Sequence, residues 1–114
     1  MAGRVPGLAL LALAAVACSK NADLHGAVTK AGKGVPGVTV TLECPGTPAQ
    51  ATSTNATGDF RFEELGAGVG DDCTVEAKST GAWAGAQAVA GRCGQHDPKT
   101  GMCTLAIFSF ELPN

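Results

Sequence analysis

The run Val38-Thr39-Val40-Thr41-Leu42-Glu43-Cys44 alternates apolar and polar residues without a break. Side chains on a strand point to opposite faces with a period of two, so this segment reads as a strand with one face buried and one wet. Cys44 falls in phase with Val38, Val40 and Leu42. Shorter runs repeat the pattern. Leu24 to Lys30 reads as a first strand, Phe60 to Glu63 alternates, and Cys73-Thr74-Val75-Glu76-Ala77-Lys78 puts a second cysteine in phase with Val75 and Ala77. Both cysteines therefore face inward if their strands cover a core.

Turn chemistry separates these runs. Ala31 to Gly34 is a turn, Val35-Pro36-Gly37 leads into the strand that ends at Cys44, and Cys44-Pro45-Gly46-Thr47-Pro48 closes it. Ala49 to Thr54 suits a short polar edge strand. Asn55-Ala56-Thr57-Gly58-Asp59 is a turn in which Gly58 can take a positive φ. Leu65 to Asp72 is loop. Residues 81–92 are rich in Gly and Ala around Trp83; a strand is expected only near Ala86–Ala90, with a short helix presenting Trp83, Ala86 and Val89 or Ala90 as the alternative. Residues 91–102 read as a loop. Cys103 to Leu112 is a final strand in which Leu105 and Ile107 share one face and Phe108, Phe110 and Leu112 the other. That slip predicts a β-bulge near Ile107–Phe108, or a strand buried on both faces.

The N-terminus carries an address. Met-Ala-Gly-Arg precedes an apolar stretch from Leu8 to Ala17, and Ala15-Val16-Ala17-Cys18-Ser19 follows the order small, apolar, small, cysteine. The stretch spans about ten residues, against the roughly 20 that a membrane-crossing helix needs. The segment resembles the signal peptide of bacterial lipoproteins, with Ala15 where that pattern favours Leu. The resemblance implies that residues 1–17 are removed, that Cys18 becomes lipidated, and that residues 18–23 form a short tether to a domain at 24–114. Five residues, Ser19 to Asp23, reach at most about 17 Å, which holds the domain near the lipid. Ser19 after the cysteine implies an outer-membrane destination, on the periplasmic or surface face. Cysteine arithmetic agrees: Cys44, Cys73, Cys93 and Cys103 make an even set, and a lipid thioether accounts for Cys18. The alternative is ordinary cleavage after Ala17 and soluble secretion.

Removing 1–17 takes away Arg4 and leaves 97 residues with seven basic and ten acidic side chains, a charge of −3. That is one small domain. Its basic residues are scattered, so nucleic acid is not an expected partner. Glycine at 16 residues and aromatics at 4% suit short strands and turns.

The order G-x-V, then Pro36-Gly37-Val38-Thr39-Val40, then Thr54 to Phe62 with Gly58-Asp59-Phe60, then Cys73-Thr74-Val75-Glu76-Ala77, resembles the carboxypeptidase regulatory-like domain over residues 24–80. The resemblance implies an all-β, Greek-key, transthyretin-like sandwich of about seven strands, akin to the B-type repeats of adhesins, used as a non-catalytic module. In that fold the strand ending at Cys44 runs antiparallel to the one holding Cys73. This implies a Cys44–Cys73 disulfide, leaving Cys93 and Cys103 to clip the loop before the last strand. Spacing alone leaves all three connectivities open.

Other chemistry is weighed against plain alternatives. Cys93-Gly94-Gln95-His96 with Cys103 could supply zinc ligands, but C-x₂-H is not a paired-knuckle spacing and export favours oxidation, so no metal or other cofactor is expected. Asp71-Asp72, Asp59 and Glu63-Glu64 lack calcium-loop spacing and read as solvated acids. His25 and His96 have no evident relay partner, and Ser19, Ser53, Ser79 and Ser109 lie outside a nucleophile-elbow setting, so no enzyme is expected. Lys30 stands near where adhesin repeats place an isopeptide lysine, without a convincing acid partner. Asn55-Ala56-Thr57 is a sequon with meaning only in a eukaryotic host. Trp83, the sole tryptophan, is the candidate ligand contact if it is exposed beside Gly81 and Gly85. The expected function is a membrane-anchored envelope module contacting a protein or surface glycan. A carrier of small apolar ligands, of transthyretin type, is the alternative.

Overall fold

A computed structural model describes residues 21–114. The proposed signal segment 1–17, Cys18 and Ser19 lie outside the described residues. Nine strands are present among them, where about seven were expected: β1 (Asp23–Lys30), β2 (Lys33–Gly34), β3 (Thr39–Glu43), β4 (Gln50–Ser53), β5 (Asp59–Phe62), β6 (Thr74–Ser79), β7 (Ala82–Ala88), β8 (Cys93–His96) and β9 (Cys103–Glu111). The surplus consists of the two-residue β2 in the expected Ala31–Gly34 turn and of β8 in the expected loop. Ala22 is already buried and its N–H donates to the Gly66 carbonyl at 2.8 Å. The folded unit therefore begins before residue 24, inside the segment read as tether.

The strands form two sheets, an all-β sandwich. One sheet runs β2-β1-β9-β8, with β5 also paired to β1, and the other runs β4-β3-β6-β7. β1 and β9 are parallel, in register from Asp23↔Leu105 to Thr29↔Glu111; the remaining pairs are antiparallel. On β1, Leu24 to Ala27 pair with β5, and Thr29 and Lys30 pair with β2. The backbones of β2 and the turn before β5 meet there. Gly58 has φ +86° and its carbonyl accepts from the Val28 N–H at 2.8 Å, and a Cβ on it would stand 2.6 Å from the Gly34 Cα. Only glycine fits that crossing.

The period-two pattern delivers the core. Leu24 and Val28 from β1, Val40 and Leu42 from β3, Phe60 and Phe62 from β5, and Val75 and Ala77 from β6 are all buried. Phe108 and Phe110 of β9 are 1% exposed, with rings 6.3 Å apart. Phe60 packs on Phe62 and Phe110. Gly26 pairs with Phe60 on one side and Phe108 on the other: a Cβ there would meet the Phe108 carbonyl oxygen and stand 2.9 Å from the Phe60 ring.

β9 departs from expectation. Its register against β1 is unbroken through Ile107 and Phe108, so there is no bulge at that point. Nor is the strand buried on both faces, for Ile107 is 55% exposed. Cys103 and Ala106 are nevertheless both buried despite opposite parity. The slip lies earlier, at Thr104–Leu105, where the pairing with β8 shifts on both sides of Gln95. Residues 81–92 also differ. The strand covers Ala82–Ala88 and a 3-10 turn follows at Val89–Gly91, with Val89 buried. Hydrogen bonding to β6 supplies what the Gly/Ala composition withholds, and the helical alternative is excluded.

Both disulfides are formed. Cys44 and Cys73 join the end of β3 to the start of β6, with Cα atoms 4.2 Å apart. Cys93 and Cys103 join β8 to β9, with Cα atoms 5.9 Å apart.

Candidate functional site

Trp83 is 56% exposed, one of two large apolar residues left in solvent among the described residues; the other is Ile107 on the opposite sheet. Its position is not what strand parity dictates. On β7, Gln87 and Gly85 pair with Val75 and Ala77, both buried residues of β6. Trp83 has the same parity as Gly85 and Gln87 and should follow them inward. The register instead shifts between Ala77 and Lys78, and Trp83 pairs with the exposed Lys78. Gly85, at φ +116°, is the residue that admits this bulge. One extra residue thus turns the tryptophan from the core to the outer face, while Ala82 and Ala84 pack against the core.

Trp83 lies on an edge strand and is surrounded by small and hydrogen-bonding groups. Register places Thr39, Lys78 and Trp83 in one row across β3, β6 and β7, and Thr41, Glu76 and Ala86 in the next. β4 extends the rows with Ser53 and Ala51. The indole Nε1 donates to Glu76 Oε2 at 2.7 Å. That bond fixes one edge of the ring and leaves its faces to other contacts. A flat aromatic flanked by hydroxyls, an ammonium and a carboxylate suits a ligand with both apolar and hydroxyl-bearing surfaces.

The other candidate residues are dispersed. His25 lies on the outer face of β1, with Nδ1 2.9 Å from Asp23 Oδ1, and Arg61 Nε stands 3.6 Å from that same oxygen. Lys30 is exposed at the end of β1. Asn55 Oδ1 accepts from the Thr57 and Asp59 amides, each at 3.0 Å, and from the Thr57 hydroxyl at 2.9 Å. Asp59 accepts from the same hydroxyl at 2.7 Å. Asp71 faces His96, whose Nε2 lies 3.0 and 3.1 Å from the two carboxylate oxygens. The five acids considered for calcium therefore do not converge. Among the described residues, the one group of three potential metal donors is Asp71, Cys93 and His96. Asp71 was not paired with His96 in the sequence, from which it lies 25 residues away.

A hollow open to solvent lies beside His96, lined by Asn21, Asp23, Gln95, His96, Asp97 and Leu105 among others. No described helix is long and apolar enough to cross a membrane. No family model matches the chain, and no curated protein or solved structure matches it.

Proposed function

We propose that this chain is a non-catalytic binding module held at a bacterial envelope membrane through lipid on Cys18, and that its contact residue is Trp83 with a surface glycan as ligand. The observation that carries the reading is the bulge at Gly85. A strand that uses a register shift and a glycine at positive φ to put its tryptophan in water has given up apolar burial that the default parity supplies. A sugar ring offers an apolar face to stack on the indole and hydroxyls for Thr39, Lys78 and Glu76. A protein partner fits less well, since interface cores gather several large apolar or aromatic side chains and this face has one.

The cleavage-site pattern before Cys18 supports the anchor, and the resemblance to carboxypeptidase regulatory-like domains supports the modular role. The two-sheet fold is compatible with both.

The test uses the intrinsic fluorescence of the sole tryptophan. The chain carrying Cys18→Ser is titrated with a panel of bacterial envelope polysaccharides. A saturable emission change with at least one of them, together with calorimetric binding of that polysaccharide that is lost in Trp83→Ala, supports the reading; calorimetric binding that survives in Trp83→Ala, or no binding across the panel, refutes it. For the anchor, an inhibitor of lipoprotein signal peptidase should make the uncleaved precursor accumulate in cells, and unchanged processing removes that half.

A further inference from the structure

The Cys93–Cys103 disulfide occupies the place where a metal site would form if the two sulfurs were free. His96 Nδ1 lies 3.8 Å from Cys93 Sγ. In a tetrahedral zinc site with Zn–S near 2.3 Å and Zn–N near 2.0–2.1 Å, the sulfur and nitrogen ligands are about 3.6 Å apart. The other ring nitrogen, Nε2, stands against the Asp71 carboxylate at 3.0 Å. A histidine that binds metal through one nitrogen while giving its other N–H to a carboxylate is the arrangement that fixes tautomer and ring orientation. Cys103 Sγ is bonded to Cys93 Sγ, so the second sulfur is within reach by construction.

We propose that reduction of Cys93–Cys103 opens a zinc site with Cys93, Cys103 and His96 Nδ1 as ligands and Asp71 as the residue that positions His96. The reductant is a dithiol. Its thiolate attacks the sulfur of Cys93, which is half-buried, in preference to that of the buried Cys103. Cys103 leaves as thiolate, and the second thiol of the reductant resolves the mixed disulfide. The dithiol is oxidised to its disulfide by two electrons and the protein pair is reduced to two thiols. Zinc(II) then displaces the two thiol protons and forms two Zn–S bonds with no further change of oxidation state. Three protein ligands leave a fourth position to water, and the hollow beside His96 gives solvent a path to it. The oxidised and metal-bound states exclude one another, so the site is closed until a dithiol arrives.

Cobalt(II) is the probe, because thiolate coordination produces charge-transfer absorption that carboxylate or imidazole alone does not. The full chain carrying Cys18→Ser is compared oxidised and dithiol-reduced, with the small-molecule dithiol removed before titration. The expected result is one cobalt per reduced chain with thiolate charge-transfer bands, displaced by zinc, and no such bands from the oxidised chain. Asp71→Asn and His96→Ala are surface changes that leave the fold intact by circular dichroism; each should weaken binding by tenfold or more. Cys44 and Cys73 remain in both variants, so adventitious binding at that pair would not respond to them. Absence of thiolate bands in the reduced chain, or bands whose affinity is unchanged in His96→Ala, overturns the proposal.

Discussion

The Thr54 hydroxyl accepts the Val38 N–H at 2.9 Å while donating to the Val35 carbonyl at 2.6 Å. Thr54 is the buried polar residue of the described core, 5% exposed. Its backbone joins the same knot, with its N–H donating to the Val38 carbonyl at 3.0 Å and its carbonyl accepting from Gly37 N–H at 3.1 Å. One side chain thus aligns the lead-in to β3 with the end of β4. Thr54→Val keeps the shape and removes both side-chain bonds, leaving a donor and an acceptor unpartnered. A loss of about 2–3 kcal/mol is expected in denaturant unfolding. Thr54→Ser should lose less, since it retains the hydroxyl.

The two disulfides should differ in weight. Cys44 and Cys73 are 29 residues apart and Cys93 and Cys103 are 10 apart. Loop-closure entropy then gives about 3.6 kcal/mol for the first and about 2.7 kcal/mol for the second. Burial does not separate the two, because Cys73 at 1% and Cys103 at 0% exposure are equally packed. Paired Cys→Ala variants measured under the same conditions should rank in this order, and equal losses would show that chain entropy is not what sets them apart.

Gly26 should tolerate no side chain. Gly26→Ala places a methyl group against the Phe108 carbonyl and the Phe60 ring, so β1 must separate from β5 or β9. Thermal unfolding should show a destabilisation of about 3 kcal/mol. Gly32→Ala, in an open turn where nothing lies within 4 Å of the new Cβ, isolates the cost of a positive φ and should lose less.

Gly85→Val should act on the tryptophan. The φ of +116° is unfavourable for a β-branched residue. Relief comes through loss of the bulge, and regular pairing would carry Trp83 toward the core face. The expected readouts are a stability loss of about 1–3 kcal/mol and a blue-shifted Trp83 emission. Trp83→Ala, by contrast, should change stability by less than about 1 kcal/mol, because its hydrogen bond to Glu76 is exposed.

The alternating runs make β3, β5 and β6 legible in the sequence, because one buried face imposes a period that survives in the residue order. The inward cysteines followed from the same parity. β7 was only partly legible. Ala and Gly carry little apolar contrast, and the glycine that creates the bulge looks in the sequence like any loop glycine. β9 offered two apolar faces, and the choice between them was made by Phe60 and Phe110 packing across β1, a non-local contact. Thr54 was unremarkable among neighbouring threonines until its two partners 16 and 19 residues away came into view. The Asp71–His96 pair was likewise invisible, since β8 had to form first to bring His96 beside the loop at Asp71.

The parallel alignment of β1 with β9 has a mechanical meaning. The chain enters at one end of the sandwich and leaves from the opposite end, with a ladder of seven Cα pairs between them. Traction on the two extremities would slide these strands lengthwise past each other, loading all the rungs at once instead of peeling them singly. A domain wired this way should resist stretching along the line joining the two ends of this ladder better than its modest size suggests.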